Sequence, residues 1–178
     1  MMTKLFIIDD DPICQAIAQQ IITDCNLFDE WISFSKARTS LDYLILNQGD
    51  FNALPDVILL DLNMPEMSGW DFLCIFEDLL PFLSKKVGVF IVSSSVDPND
   101  KFRSKIYPFV EGFIPKPLSI SNFVDISNYV SINAMTYENI RNVGSLLTSS
   151  LLSLNNKSNF SLMALRTDQP NVLRNNHV

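Results

Sequence analysis

The chain has 178 residues, 47% of them hydrophobic, which is room for one ordinary domain with a buried core plus an appendage, and not for two full domains. Its net charge of -7 and pI near 4.5 disfavour nonspecific nucleic-acid binding, which needs clustered Lys and Arg to neutralise phosphates, and suit a basic or amphipathic protein partner better. No apolar run approaches the roughly 20 residues that span a bilayer, and Met1-Met2-Thr3-Lys4 leads into the first apolar run without a signal-peptide pattern, so no membrane association and a cytoplasmic location are expected.

Short apolar runs alternate with longer segments of helical period. The first strand is predicted over Leu5 to Asp9. A helix follows, with Asp11 placed to cap it, Pro12 in its first turn, Ile13, Ile17, Ile21 and Ile22 on one face, and an end near Asp24. Trp31 to Phe34 is the second strand, and a helix from about Thr39 through Leu41, Leu44 and Ile45 stops before Gly49. Val57 to Asp61 is the third strand. The helix after Gly69 carries Phe72, Leu73 and Phe76 and is limited by Pro81. Val87 to Ser93 is the fourth strand, followed by a short polar helix opened by Asp97-Pro98. After the fifth strand, Gly112 to Pro115, a fifth helix shows Phe123, Ile126, Tyr129 and Val130 at i, i+3, i+6 and i+7.

Strict strand and helix alternation implies an α/β fold, a doubly wound five-stranded parallel sheet with helices on both faces, and near-continuous apolar strands such as Val57 to Leu60 agree with burial on both sides. In such sheets functional groups gather beyond the carboxyl ends of the strands. Asp9, Asp10 and Asp11 end the first apolar run and Asp61 ends the third, so two strands deliver carboxylates to one edge. Clustered carboxylates repel one another and take up protons unless a cation joins them, which asks for a bound metal.

The three cysteines, Cys14, Cys25 and Cys74, are too few and too scattered for a disulfide framework or a zinc knuckle, and are expected to be reduced and buried, with Cys14 and Cys25 on the core face of the first helix. The single histidine, His177, is the penultimate residue. That argues against Ser-His-Asp or Cys-His nucleophile systems and histidine-rich metal sites, each of which needs an imidazole inside the folded part.

The charges divide the chain at Met135: 18 carboxylates against 9 cations through that residue, and 2 against 4 after it. Residues 1–135 are therefore expected to form one domain, and residues 136–178 an Asn/Ser/Leu-rich tail. In the tail Ile140, Val143, Leu147, Leu151 and Leu154 line up as an amphipathic stripe that Asn155-Asn156-Lys157-Ser158-Asn159 should break, with loose coil from Phe160 onward. Packing back on the fifth helix, self-association into a homodimer and binding of a partner helix are the alternatives for that stripe.

With the strand ends in view, the chain resembles the receiver domain of bacterial two-component response regulators over about residues 4–132. The matches come in family order: the Asp-Asp pair after the first strand, Asp61-Leu62-Asn63-Met64-Pro65 with Gly69 after the third, Ser93 closing the fourth and Lys116-Pro117 after the fifth. The resemblance implies the CheY-like strand order 2-1-3-4-5. It implies Asp61 as phosphoacceptor, and a Mg²⁺ ion held by Asp9, Asp10, Asp61 and the backbone carbonyl of Asn63, with Asp11 only capping the helix. It makes Lys116 the cation facing the phosphoryl group, often before a cis proline, and Ser93 the hydroxyl whose movement pulls in the following loop. Phe113 stands at the switch aromatic, where a simple core Phe is the competing view. Asn63 and Ser95 stand where the family tunes attack of water on the acyl phosphate, with small Ser94 leaving access open.

The implied function is a phosphorylation switch and not an enzyme beyond slow self-dephosphorylation. Its partners would be a sensor histidine kinase or histidine phosphotransfer protein and an unidentified output protein, reached through the face of the fourth helix, fifth strand and fifth helix. Two alternatives stand beside it: a receiver-like interaction module that is never phosphorylated, and a haloacid dehalogenase-like phosphohydrolase with Asp9 as nucleophile, since Asp9-Asp10-Asp11 also matches Asp-x-Asp.

Overall fold

The structure, a computed structural model, describes residues 2–95 and 97–164. Five strands, β1 (Lys4–Ile8), β2 (Glu30–Phe34), β3 (Val57–Asp61), β4 (Gly88–Ser93) and β5 (Val110–Pro115), form one sheet in the order β2-β1-β3-β4-β5. Each adjacent pair is parallel. The helices are α1 (Pro12–Cys25), α2 (Ala37–Leu46), α3 (Gly69–Leu79), α4 (Pro98–Ser104) and α5 (Ile120–Ala164), with a 3-10 turn at Leu80–Phe82. The expected strand order and alternation are therefore present.

Strand residues alternate between two apolar layers because successive side chains leave opposite faces of a pleated sheet. Phe6, Ile8, Ile58, Leu60, Val89 and Ile91 meet Leu41 and Leu44 of α2 and Phe72, Leu73 and Phe76 of α3 on one face. Leu5, Ile7, Val57, Leu59 and Val92 meet Ala18 and Ile22 of α1 and Phe123, Ile126 and Val130 of α5 on the other. A parallel sheet covered twice in this way has no polar face, which explains the unbroken burial of β3.

Local signals start the helices. Asp11 accepts from Ile13 N at 2.8 Å ahead of Pro12, Ser68 and Asp71 form a reciprocal capping box on α3, and Asp97 accepts from Asn99 N at 2.9 Å on α4. Three expectations need correction. The buried face of α1 is Ala18 and Ile22, whereas Ile13 and Ile17 are exposed, because one helix on a twisted sheet buries a narrower stripe than its isoleucines offer. Cys14 and Cys25 are half-buried and Cys74 is exposed, since it follows buried Leu73 by one helical step of about 100°.

The third concerns the end of α5. The chain divides after Ile132 into two units, and the second carries helix on through Asn155–Asn159 to Ala164. Asn and Ser cost at most about 0.7 kcal/mol each against Ala, and without Pro they do not stop a helix. Within this unit Val143 and Leu147 are exposed. The side chains of Ile140, Leu151 and Leu154, and the whole of residues 165–178 with His177, lie outside the described residues. Among the described residues, no helix is long and apolar enough to cross a membrane.

The amino ends of the strands are clamped by a buried ion pair that local sequence gives no sign of. Asp56 accepts from Lys85 Nζ at 2.8 Å and, through its other oxygen, from Lys4 N at 2.7 Å. Lys85 is almost wholly enclosed, with Phe51 beneath its ammonium at 4.9 Å. Removing one partner of such a pair strands the other. Asp56→Ala is expected to cost about 3–5 kcal/mol in denaturant unfolding, and the double variant Asp56→Ala/Lys85→Met distinctly less.

Candidate functional site

The carboxyl ends of β1, β3, β4 and β5 converge on one acidic cleft. Asp9 follows β1 and Asp61 closes β3, and both are buried, with Asp10 half-exposed beside them. One carboxylate oxygen from each of the three lies within 4.8 Å of the others. Lys116, which follows β5, reaches across the edge and places Nζ 2.8 Å from Asp9 Oδ2 and 3.0 Å from Asp61 Oδ2. The Lys116-Pro117 peptide is cis.

Backbone geometry holds these groups still. Asp9 Oδ1 accepts from Asp11 N at 3.0 Å, and the backbone carbonyl of Asp9 accepts from Gln15 Nε2 of α1 at 2.6 Å. Asp61 Oδ1 accepts from Asn63 N at 3.3 Å. Gly69 packs so close beneath Asp61 that a Cβ there would lie 2.3 Å from the Asp61 carbonyl oxygen, so only glycine lets α3 begin at that point. In the β3/β4 register Asp61 stands opposite Val92, which sets Ser93 one step further toward the cleft. Ser93 is fully buried, and its carbonyl accepts from Lys116 N at 3.0 Å, tying the two strand exits together.

The remaining expected residues fall as follows. Asn63 is exposed at the mouth of the cleft, and Asp11 is an exposed cap whose carboxyl the Ile13 N–H holds below its ordinary value. Phe113 is half-buried on β5, paired with Ile91 and packed against the α2/α3-side core. Ser95 turns its hydroxyl to Asp100 of α4. Gln15 and Asp100 were not singled out from the sequence, where a Gln in a first turn and an Asp in a polar helix carry no signal.

The electrostatics follow from burial. Burial alone disfavours the Lys116 ammonium, but hydrogen bonds to Asp9 and Asp61 outweigh it and hold the group above its ordinary 10.5. Asp9 is raised above 3.8 by burial, which the hydrogen bond from Lys116 only partly offsets. Three carboxylates against one ammonium leave a charge of -2 in an all-oxygen donor set. That set fits a hard divalent cation such as Mg²⁺.

A doubly wound sheet with carboxylates, a hydroxyl and a lysine gathered at its carboxyl edge defines the CheY-like class of signalling domains. The response regulator receiver domain matches residues 5–128, and the chain belongs to that family. Among curated proteins the chain is similar to the two-component response regulator ORR1 of Oryza sativa subsp. japonica, 26% identical over 129 residues, 71% of this chain and 54% of the relative. Among solved structures it resembles a two-component response regulator from Cytophaga hutchinsonii, at TM-score 0.64 and 24% identity, covering 72% of this chain and 96% of that one. It also resembles the phosphorylated cyanobacterial phytochrome response regulator RcpA, at TM-score 0.58 and 25% identity, covering 73% and 91%. The chain spans about half the length of the curated relatives it matches.

The two shifts give the same sign of pH dependence. A raised Lys116 contributes stability that is complete below 10.5 and is lost as pH rises through the folded value, and a raised Asp9 costs stability once ionised. Among the described residues Lys116 alone bonds the Oδ2 atoms of Asp9 and Asp61, so Lys116→Ala strips both and pushes Asp9 further up. Metal-free Lys116→Ala is expected to lose about 3 kcal/mol at about pH 8 and clearly less at about pH 5, by denaturant titration, whereas the wild type changes little between them.

Proposed function

We propose that this chain is a phosphorylation switch in a two-component phosphorelay, with Asp61 as phosphoacceptor and residues 1–135 as the receiver unit. The observation that carries the reading is the Lys116 ammonium shared between Asp9 and Asp61 at the carboxyl edge, with Ser93 on the adjacent strand exit, its carbonyl accepting from Lys116 N. The similarity to RcpA, solved in a phosphorylated form, supports it.

In this reading an Asp61 oxygen attacks the phosphorus of a phosphohistidine on a sensor kinase or histidine phosphotransfer protein. The new O–P bond forms as the P–N bond breaks, and the electron pair returns to the imidazole, which then takes up a proton. Asp9, Asp10, Asp61 and the Asn63 backbone carbonyl would hold Mg²⁺, whose charge, when bound, offsets that of the carboxylates and the transferred group. Lys116 exchanges its contact with Asp61 Oδ2 for one with a phosphate oxygen, a role for which a mobile point charge suffices.

Ser93 Oγ accepts from Ser95 N at 3.1 Å, and among the described residues its own proton meets no acceptor, so it is available to a phosphate oxygen. Output would run through the face of α4, β5 and α5, where Phe102, Ile106 and Val124 are exposed, toward a protein rather than a nucleic acid. With the Ser95 hydroxyl engaged by Asp100, neither it nor Asn63 offers a general base to attacking water, which suits a phosphorylated state that is not rapidly self-erased.

Intact-mass measurement after incubation with acetyl phosphate and Mg²⁺ tests this. The wild type should gain one phosphoryl group and Asp61→Asn none, with Asp9→Asn and Asp10→Asn slowed at least about 100-fold. No gain in the wild type would make the protein an unphosphorylated interaction module, and a phosphate mapped to Asp9 would overturn the site assignment.

A further inference from the structure

The loop between β4 and α4 wires the Ser93 hydroxyl to a helix through two side chains. Ser93 Oγ accepts the Ser95 N–H. Ser95 Oγ accepts from Asp97 N at 3.2 Å and donates to the carboxylate of Asp100 in the first turn of α4. α4 in turn is held on α3, where the Arg103 guanidinium lies 4.2 Å over the Trp70 ring and Trp70 stacks on Tyr107.

We propose that Asp100 is a positioning residue that, through Ser95, restrains the Ser93 hydroxyl and so sets how readily the cleft accepts a phosphoryl group. The inference rests on the reading of Ser93 as the phosphate-sensing hydroxyl. A phosphoryl group on Asp61 draws the Ser93 proton toward it, and Ser95 N–H must follow or lose its acceptor. Ser95 follows only by dragging or releasing Asp100. A hydroxyl-to-carboxylate bond is roughly twice as strong as a neutral one, so this latch outweighs the neutral bonds from Ser95 N and Asp97 N beside it. It opposes the phosphorylated arrangement, and its release is felt at α4.

The test uses the full chain carrying Trp31→Phe, which leaves Trp70 as the sole tryptophan, and titrates beryllofluoride at fixed Mg²⁺ by fluorescence. Asp100→Ala and Ser95→Ala should each lower the Kd about five- to tenfold, and the double variant no further than either, because both break one link. Asp100→Asn, which keeps an acceptor, should fall between. Tightening in Asp100→Ala alone would overturn the latch, since Ser95→Ala keeps the charge and breaks the link, leaving simple repulsion of the anion as the cause. Unchanged affinity in both variants would also overturn it. A wild type that melts cooperatively yet binds no beryllofluoride would instead remove the phosphoacceptor reading, and this inference with it.

Discussion

One ammonium group, that of Lys116, stands between two buried carboxylates that arrive on different strands. Without it Asp9 and Asp61 would meet in a partly desolvated cleft as like charges, and one would take up a proton. With it their repulsion is partly offset, and Asp10 adds a third carboxylate to a cleft that stays net negative. The cleft thus combines a net negative carboxylate set with one cation, Lys116, at the same edge.

That contact is available only because a doubly wound sheet brings β1, β3 and β5 to a common edge. The apolar strands are buried on both faces, so their backbones have little freedom, and the first polar residue beyond each strand inherits that rigidity. Beneath Asp61 the fit is closest, where the absent side chain of Gly69 lets α3 start against the β3 backbone. At the opposite edge the Asp56–Lys85 pair closes the sheet with an ion pair whose lysine is almost wholly enclosed. The two edges differ in charge balance: one carboxylate meets one ammonium here, whereas three carboxylates share one ammonium at the carboxyl edge.

Rigidity ends at β4. Ser93 is fixed by its strand, but the described residues of the loop that leaves it are held by hydrogen bonds from Ser95 and Asp97 and by the Asp100 carboxylate. Polar restraints of this kind exchange partners at small net cost, whereas packed side chains do not. A phosphate-dependent rearrangement is therefore expected at this loop and at α4, whose seven residues are the shortest of the five helices.

Strand positions, the Asp11 and Asp97 caps and the carboxylates Asp9, Asp10 and Asp61 were legible in the residue order, because alternation, capping and residues at strand ends are local properties, whereas Ser93 and Lys116 were singled out by the resemblance to receiver domains. Local pattern misjudged α1, where Ile13 and Ile17 extend the isoleucine face beyond what the sheet buries, and the end of α5, where polar residues suggested a stop that helix energetics do not impose. Gln15, the Gly69 approach and the Asp100 latch were invisible for another reason: each acts on an atom supplied by a different element, and chain order carries no record of such distances. The sequence by itself determined which chemical groups end the strands. Only the tertiary structure decided that Lys116 reaches Asp9 and Asp61 together and that Ser95 faces α4, because those contacts depend on strand order and crossover packing, which are settled by the burial of the whole sheet at once.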